Sequence, residues 1–275
     1  MNAKICFIGA GNMAKSLIGG LLASGYETQN ILATDPNPEQ RANLTSQFAI
    51  QTYADNGEAL MHADIVVLAV KPQILRQVCA EIHDTVQASS PLIISVAAGI
   101  RTVDIERWLG GELPIVRTMP NTPALIQTGA TGLFANTQVS TEQRSQAEHI
   151  MRATGLALWV AQEDQLDTVT ALSGSGPAYY FLFMEAMEQA AQDLGLDAKS
   201  AHLLTMQTAL GAAKMVMESQ QSCAQLRANV TSPNGTTQSA IEYFEAHNLR
   251  GNVAGAMQAA HKRAQQLADE LGGEA

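Results

Sequence analysis

Six residues near the start, Gly9-Ala10-Gly11-Asn12-Met13-Ala14, have the types and spacing to hold a pyrophosphate. Gly9 permits a tight turn, and Gly11 lets the backbone approach the phosphates. Ala14, in a third glycine's place, keeps helix and strand close. A helix opening at Asn12 presents free N–H groups and a positive dipole end to the anion. A glycine hexad alone also serves ordinary turns. Here the apolar run 5–8 before it and the helical spacing after it agree on a dinucleotide site. Ile8 and Met13 close the candidate set at its two ends.

Asp35 follows about 20 residues after the turn, where an acid receives ribose hydroxyls and repels a 2′-phosphate, favouring NAD over NADP. It also opens an Asp35-Pro36-Asn37 turn, an ordinary structural job. Arg41 is near enough to reach a phosphate and equally suits a solvated helix face, so both cofactors stay open.

A second chemical segment is Val230-Thr231-Ser232-Pro233-Asn234-Gly235-Thr236-Thr237. A Pro-Asn-Gly turn running into a helix start lines up backbone N–H groups for an anion such as a carboxylate. Ser173-Gly174-Ser175-Gly176-Pro177 begins a long helix, with Pro177 in the first turn. No His–Asp partner set accompanies it, so neither Ser173 nor Ser175 is expected to be a nucleophile. The histidines, at 62, 83, 149, 202, 247 and 261, lack metal-ligand spacing, and no metal site is expected.

The elements that must position these residues come in two kinds. Strands are expected at 4–8, 30–34, 50–53, 65–70, 92–96, 115–119, 132–135 and 157–160, with helices at 12–24, 38–47 and 74–86 between the early ones. Such alternation predicts an α/β fold, an N-terminal Rossmann-type doubly wound parallel sheet over residues 1–160. Beyond it, helical spacing at 176–194, 199–219, 236–246 and 249–271 predicts an all-helical domain over 161–275. Its helices carry Leu and Met on more than one side, as at Leu203, Leu204, Met206, Leu210 and Met215. A helix apolar on several faces needs several neighbours, so a dimer is expected through this domain.

The net charge of −10 argues against nucleic acid. No apolar stretch approaches the roughly 18 residues that span a bilayer, so no membrane association is expected. Three scattered cysteines (Cys6, Cys79, Cys223) form no disulfide framework, and a cytoplasmic enzyme is expected.

Taken together, Gly9–Ala14, Ala69-Val70-Lys71-Pro72, Arg117-Thr118-Met119-Pro120-Asn121-Thr122-Pro123, Leu172-Ser-Gly-Ser-Gly-Pro-Ala-Tyr179 and the 230–237 loop resemble pyrroline-5-carboxylate reductase. The match runs in order over residues 4 to about 270, and its last two segments are the most specific. The resemblance implies reduction of the cyclic imine of 1-pyrroline-5-carboxylate to L-proline by NADPH, or by NADH given Asp35, in a homodimer or larger homo-oligomer. It implies that Asn56, Ala69, Val70, Lys71, Pro72 and Ala97 line the cofactor. It also implies that Glu163, Asn229, Gly235, Thr236 and Thr237 contact the substrate, with the Thr237 hydroxyl on the imine nitrogen. Lys71 has an alternative as a strand-capping surface residue, and Asn56 as the N-cap of a short helix. Two departures from the family stand out: Asn234 replaces a glycine, and Cys223 a proline.

Two rival readings share the first domain. A β-hydroxyacid dehydrogenase would use a lysine after a glycine-rich helix segment, faintly echoed by Gly211-Ala-Ala-Lys214. A non-catalytic dinucleotide sensor would be expected to lose the Thr236-Thr237 loop, which is intact.

Overall fold

The computed structural model describes residues 3–273. Eight strands form one sheet: β1 (Ile5–Ile8), β2 (Ile31–Thr34), β3 (Gln51–Tyr53), β4 (Ile65–Leu68), β5 (Leu92–Ser95), β6 (Ile115–Met119), β7 (Gly129–Ala135) and β8 (Gly155–Trp159). Their spatial order is β3-β2-β1-β4-β5-β6-β7-β8. The strand order reverses at β1, which pairs in parallel with both β2 and β4. Ligands of open α/β sheets bind at such a switch point, beyond the carboxyl ends of the strands.

The helices among the strands are α1 (Asn12–Ala23), α2 (Pro38–Phe48), α3 (Asn56–Leu60), α4 (Pro72–Ser89), α5 (Thr102–Leu109) and α6 (Thr141–Arg152). Successive strand residues feed opposite faces, as the pleat requires. Ile5, Phe7, Val67 and Ile94 join one core with α1 and α6. Cys6, Ile8, Val66 and Ile93 join another with α4 and α5. Both faces are covered, which is why these strands read as unbroken apolar runs.

Three details depart from expectation. The β4 strand ends at Leu68, so Ala69 and Val70 are released to face the glycine turn. The β7 strand starts at Gly129, ahead of the expected 132, and pairs antiparallel with β6. Residues 120–128 are too few for the dozen or so that a parallel crossover needs, so the chain turns straight back. The short helices α5 and α6, in stretches assigned no element from sequence, were not expected.

Past β8, α7 (Gln165–Val169) runs through a wide π turn at Thr170–Gly174 into α8 (Gly176–Asp193). The predicted helix start at Ser173 is therefore an already helical segment that changes pitch. Then come α9 (Ala198–Glu218), α10 (Cys223–Asn229), α11 (Thr236–Ala246) and α12 (Leu249–Gly272). Strands cease at Trp159, while by compactness the chain divides elsewhere. One unit runs to Ser175 and resumes from Ala260, and the other is Gly176–Ala259. No helix among the described residues is long and apolar enough to cross a membrane.

Candidate active site

In the strand-bearing unit the glycine turn follows β1 directly. Gly9 has φ +100°, and a Cβ there would lie 2.7 Å from the Ala69 carbonyl oxygen and 3.0 Å from Val70 Cγ1. Only glycine fits both the dihedral and the close approach. The Gly9 N–H donates to the Thr34 carbonyl at 2.8 Å, tying the turn to β2. Ala14 is fully buried, which brings α1 tightly onto the strands.

Gly11 is the N-cap of α1, and no side chain caps this end. A Cβ on Gly11 would meet nothing within 4 Å. The turn thus opens onto space, with the N–H groups of Asn12, Met13 and Ala14 lacking intrahelical partners. Those features fit a pyrophosphate: backbone donors, a dipole end, and room for a close approach.

Asp35 stands half-buried at the end of β2. Its Oδ2 accepts the Ala10 N–H at 2.9 Å, and its Oδ1 accepts the Asn37 N–H at 2.8 Å. The structural job weighed for this residue is real, and it extends to the glycine turn itself. Asn56 opens α3, whose N-cap is Asp55, so Asn56 does not fill the N-cap place. Its carbonyl oxygen accepts the Thr34 hydroxyl, and its amide –NH2 donates to Glu81 Oε2 at 3.5 Å. Lys71 is exposed and is the N-cap of α4, with Pro72 in the first turn and no side-chain cap. Ala97 is buried just after β5, its N–H on Ser95 Oγ at 3.3 Å.

Arg117, named in sequence only as part of a stiff segment, is buried on β6. It lies 3.1 Å from Glu163 Oε1 and 3.7 Å from Asp167 Oδ1. Burial raises the Asp167 pKa, and the Arg117 guanidinium works against that rise. Glu163 is also the cap of α5: its Oε1 accepts the Thr102 N–H and its Oε2 the Thr102 hydroxyl, both at 2.7 Å. Thr102 and Glu163 are 61 residues apart, so no local signal announced this contact. Asn121 is a second residue whose work sequence did not disclose. Its amide donates to the Ser173 carbonyl at 3.0 Å, and its oxygen accepts the Ala130 N–H at 2.9 Å. Pro177 has no N–H to offer that carbonyl, so the side chain replaces the missing donor. Ser173 donates its hydroxyl to the Val169 carbonyl at 3.0 Å, a structural use.

In the helical unit, the Gly235 N–H donates to the Ser232 carbonyl at 3.0 Å, closing the expected turn. Asn234 has φ +59°, the left-handed conformation that a glycine adopts freely and asparagine tolerates. Gly235 is the N-cap of α11, again with no side-chain cap. Asn234 N–H donates to Gln238 Oε1, while the hydroxyls of Thr236 and Thr237 make no hydrogen bond among the described residues. Asn229 ends α10 with its amide on Gln221 Oε1 at 2.7 Å. Ser222 caps α10 through a capping box, which starts the helix at Cys223 without a proline. Lys214 lies exposed in the interior of α9. The expected residues thus fall into three places: one set gathered around the glycine turn, one around the α11 start, and Glu163, expected on the substrate, apart from both with Thr102 and Arg117.

Residues 163–267 match the family model for pyrroline-5-carboxylate reductase dimerisation. Residues 4–99 match that for NADP oxidoreductase, coenzyme F420-dependent. The chain is 51% identical to a pyrroline-5-carboxylate reductase of Pseudomonas aeruginosa, over 98% of each. It is similar in structure to a pyrroline-5-carboxylate reductase of Coxiella burnetii, with a TM-score of 0.94, 48% identity and coverage of 98% of this chain and 99% of that one. It is also similar to a Plasmodium falciparum pyrroline carboxylate reductase with NADP bound, at a TM-score of 0.85, 30% identity and coverage of 97% and 98%.

Proposed function

We infer the function from one premise: the chain belongs to the pyrroline-5-carboxylate reductase family. It is an oxidoreductase that reduces the C=N bond of 1-pyrroline-5-carboxylate to give L-proline with NAD(P)H. The observation that carries the reading is the start of α11, an uncapped helix end beside two unspent hydroxyls.

The dinucleotide, when bound, supplies the hydride. The chain's part is to bind, orient and manage one proton. Gly9, Ala10, Gly11, Asn12 and Met13, backed by Ile8, form the pyrophosphate seat. Asn56, with Ala69, Val70, Lys71, Pro72 and Ala97, lines the ribose and nicotinamide. Glu163 serves by holding Thr102, the end of the segment that carries Ala97. The Thr236 and Thr237 N–H groups, following the Gly235 N-cap, take the substrate carboxylate as charge-assisted donors at a dipole end. The Thr237 hydroxyl points a donor at the imine nitrogen, and Asn229 flanks the loop. Loss of nicotinamide absorbance on mixing chain, NADPH and racemic pyrroline-5-carboxylate, with proline as product, is the expected result. A folded chain that consumes neither NADPH nor NADH in this assay would sink the reading.

The working form is a homodimer through the helical unit. Phe181, Leu204 and Met217 are 63%, 58% and 84% exposed in the single chain, far from what apolar side chains of an independent unit show. Replacing Leu204 with glutamate is expected to shift the mass measured by light scattering toward the monomer. A parent chain that runs as a monomer at micromolar concentration would remove the dimer. Cys6 and Cys79 are buried free thiols whose pKa burial pushes up to about 12, which keeps them protonated and unreactive.

A further inference from the structure

The stretch between β5 and α5 leaves the carboxyl edge of the sheet, where ligands of such folds bind, and it carries Ala97. Hydrogen bonds tie its two ends. At the start the Val96 N–H donates to the Leu68 carbonyl at 3.2 Å, and the Ala97 N–H to Ser95 Oγ at 3.3 Å. At the finish Glu163 takes the Thr102 N–H and hydroxyl. Between them the chain turns at Ala98 and Gly99, and packing holds it there.

That packing comes from the far end of the sequence. Gly99 is buried at φ +75°. A Cβ on it would lie 3.5 Å from Leu267 Cβ, 3.6 Å from Leu271 Cδ1 and 3.7 Å from the Ala268 backbone nitrogen. The last turns of α12 thus lie directly on the backbone of the turn, and the fully buried Ala268 is small enough to permit it. Leu271 also packs against the apolar core that holds Ala97, Ile100 and Ile105. Polar contacts fix the helix in that place. Asp269 pairs with Arg101, the N-cap of α5, at 2.7 Å across 168 residues of chain. Arg107 donates to the Gly272 carbonyl at 2.6 Å and to Asp104 Oδ1 at 3.0 Å. Packed interiors are stiff, so a shift of this helix end moves the turn beneath it.

We propose that the last two turns of α12, through Leu267, Ala268, Leu271 and the Asp269–Arg101 pair, form a brace that sets how far Ala97 stands toward the nicotinamide. Leu271 and Asp269 are positioning residues, acting on the hydride donor only through the turn. This rests on the reading of Ala97 as part of the nicotinamide wall. Hydride transfer needs the reacting carbons about 3–3.5 Å apart, and a misplacement of about 1 Å can cost about 10²-fold. A slackened wall therefore slows the chemical step and leaves the adenosine half of the cofactor alone.

The test measures kcat, KM and the isotope effect with NADPH dideuterated at the nicotinamide C4. Binding of 2′-phospho-ADP-ribose (NADPH without its nicotinamide) to the full chain is measured by calorimetry. Leu271→Ala is expected to lower kcat about 10-fold and to raise the isotope effect, because hydride transfer becomes the slowest step. Its affinity for 2′-phospho-ADP-ribose should stay within about twofold of the parent, since the two sites are separate. Leu271→Met, of similar volume, should recover most of the rate. The side chains of Arg101 and Asp269 are 38% and 69% exposed, so Asp269→Asn leaves the fold standing. It should shift rate and isotope effect the same way, by about threefold in kcat, the worth of a partly exposed pair. A purely structural role would lower kcat through the active fraction and leave the isotope effect unchanged. That pattern overturns the brace. So does a folded Leu271→Ala with parent kinetics, or a loss of nucleotide affinity as large as the loss of rate. Ala97→Val alters the wall itself and should lower kcat by about 10-fold. Parent rate and isotope effect in that variant would remove Ala97 from the nicotinamide, a failure distinct from that of the brace.

Discussion

Thr237→Val is expected to lower kcat by about 10²-fold or more, the low end of what a positioned proton donor supplies. Valine keeps the shape and β-branching of threonine and removes only the hydroxyl. The helix start, with Gly235 as its N-cap, does not depend on that hydroxyl, since no bond of it helps to build the turn. The carboxylate seat at the backbone N–H groups should therefore persist, and KM for the substrate should move far less than kcat. Thr237→Ser should recover to within about threefold of the parent, as the donor is restored at the same backbone position. Steady-state rates at saturating NADPH decide it. A valine variant as fast as the parent would take the hydroxyl out of the proton path.

Arg117→Met should lower unfolding stability by about 3–5 kcal/mol, read from the urea midpoint. The side chains of Arg117 and Asp167 are 5% and 7% exposed, and Glu163 is 21% exposed. Removing the cation strands two carboxylates that water reaches poorly, which costs more than the ion pair contributed. The loss should depend on pH in a definite direction. Asp167 titrates high because it is buried, and Arg117 is the first influence that pulls it back down. Without Arg117 its folded pKa climbs further above the unfolded value of about 3.9. An acid whose folded pKa is raised loses stability as pH rises from the unfolded toward the folded value. The deficit of the variant should then be smallest near about pH 4–5 and grow toward neutrality. A flat deficit below about 1 kcal/mol would mean that solvent compensates the pair as it does at a surface.

The strands were legible because burial on both faces wrote them as apolar runs, as in Ile65-Val-Val-Leu68. The glycine turn was legible because Gly9 has a steric reason that few residue types satisfy. The helix α6 was missed although Ser140 and Gln143 form a capping box, a signal present in the sequence. Its apolar stripe is confined to Ala147, Ile150 and Met151 in the last turns, after a polar first half. What sequence could not disclose is direction and distant pairing. The identity of Asp35 says nothing of where its carboxylate points, and only the fold shows it turned onto the Ala10 N–H of the glycine turn. The Thr102–Glu163–Arg117 contacts join α5, β6 and the loop before α7, so only the fold assembles them.

The helix α12 has one more consequence. It begins at Leu249 in one compact unit and ends in the other, where Asp269 pairs with Arg101 at 2.7 Å and the Gly272 carbonyl accepts from Arg107. Leu267 and Leu271 close over Gly99 there. Domains made at the ribosome usually fold as they emerge, the N-terminal one first. This nucleotide-binding unit does not have that option. Residues 260–273 join it only after the whole of the other unit has been made, so an N-terminal fragment ending at Ser175 lacks the staple over α5.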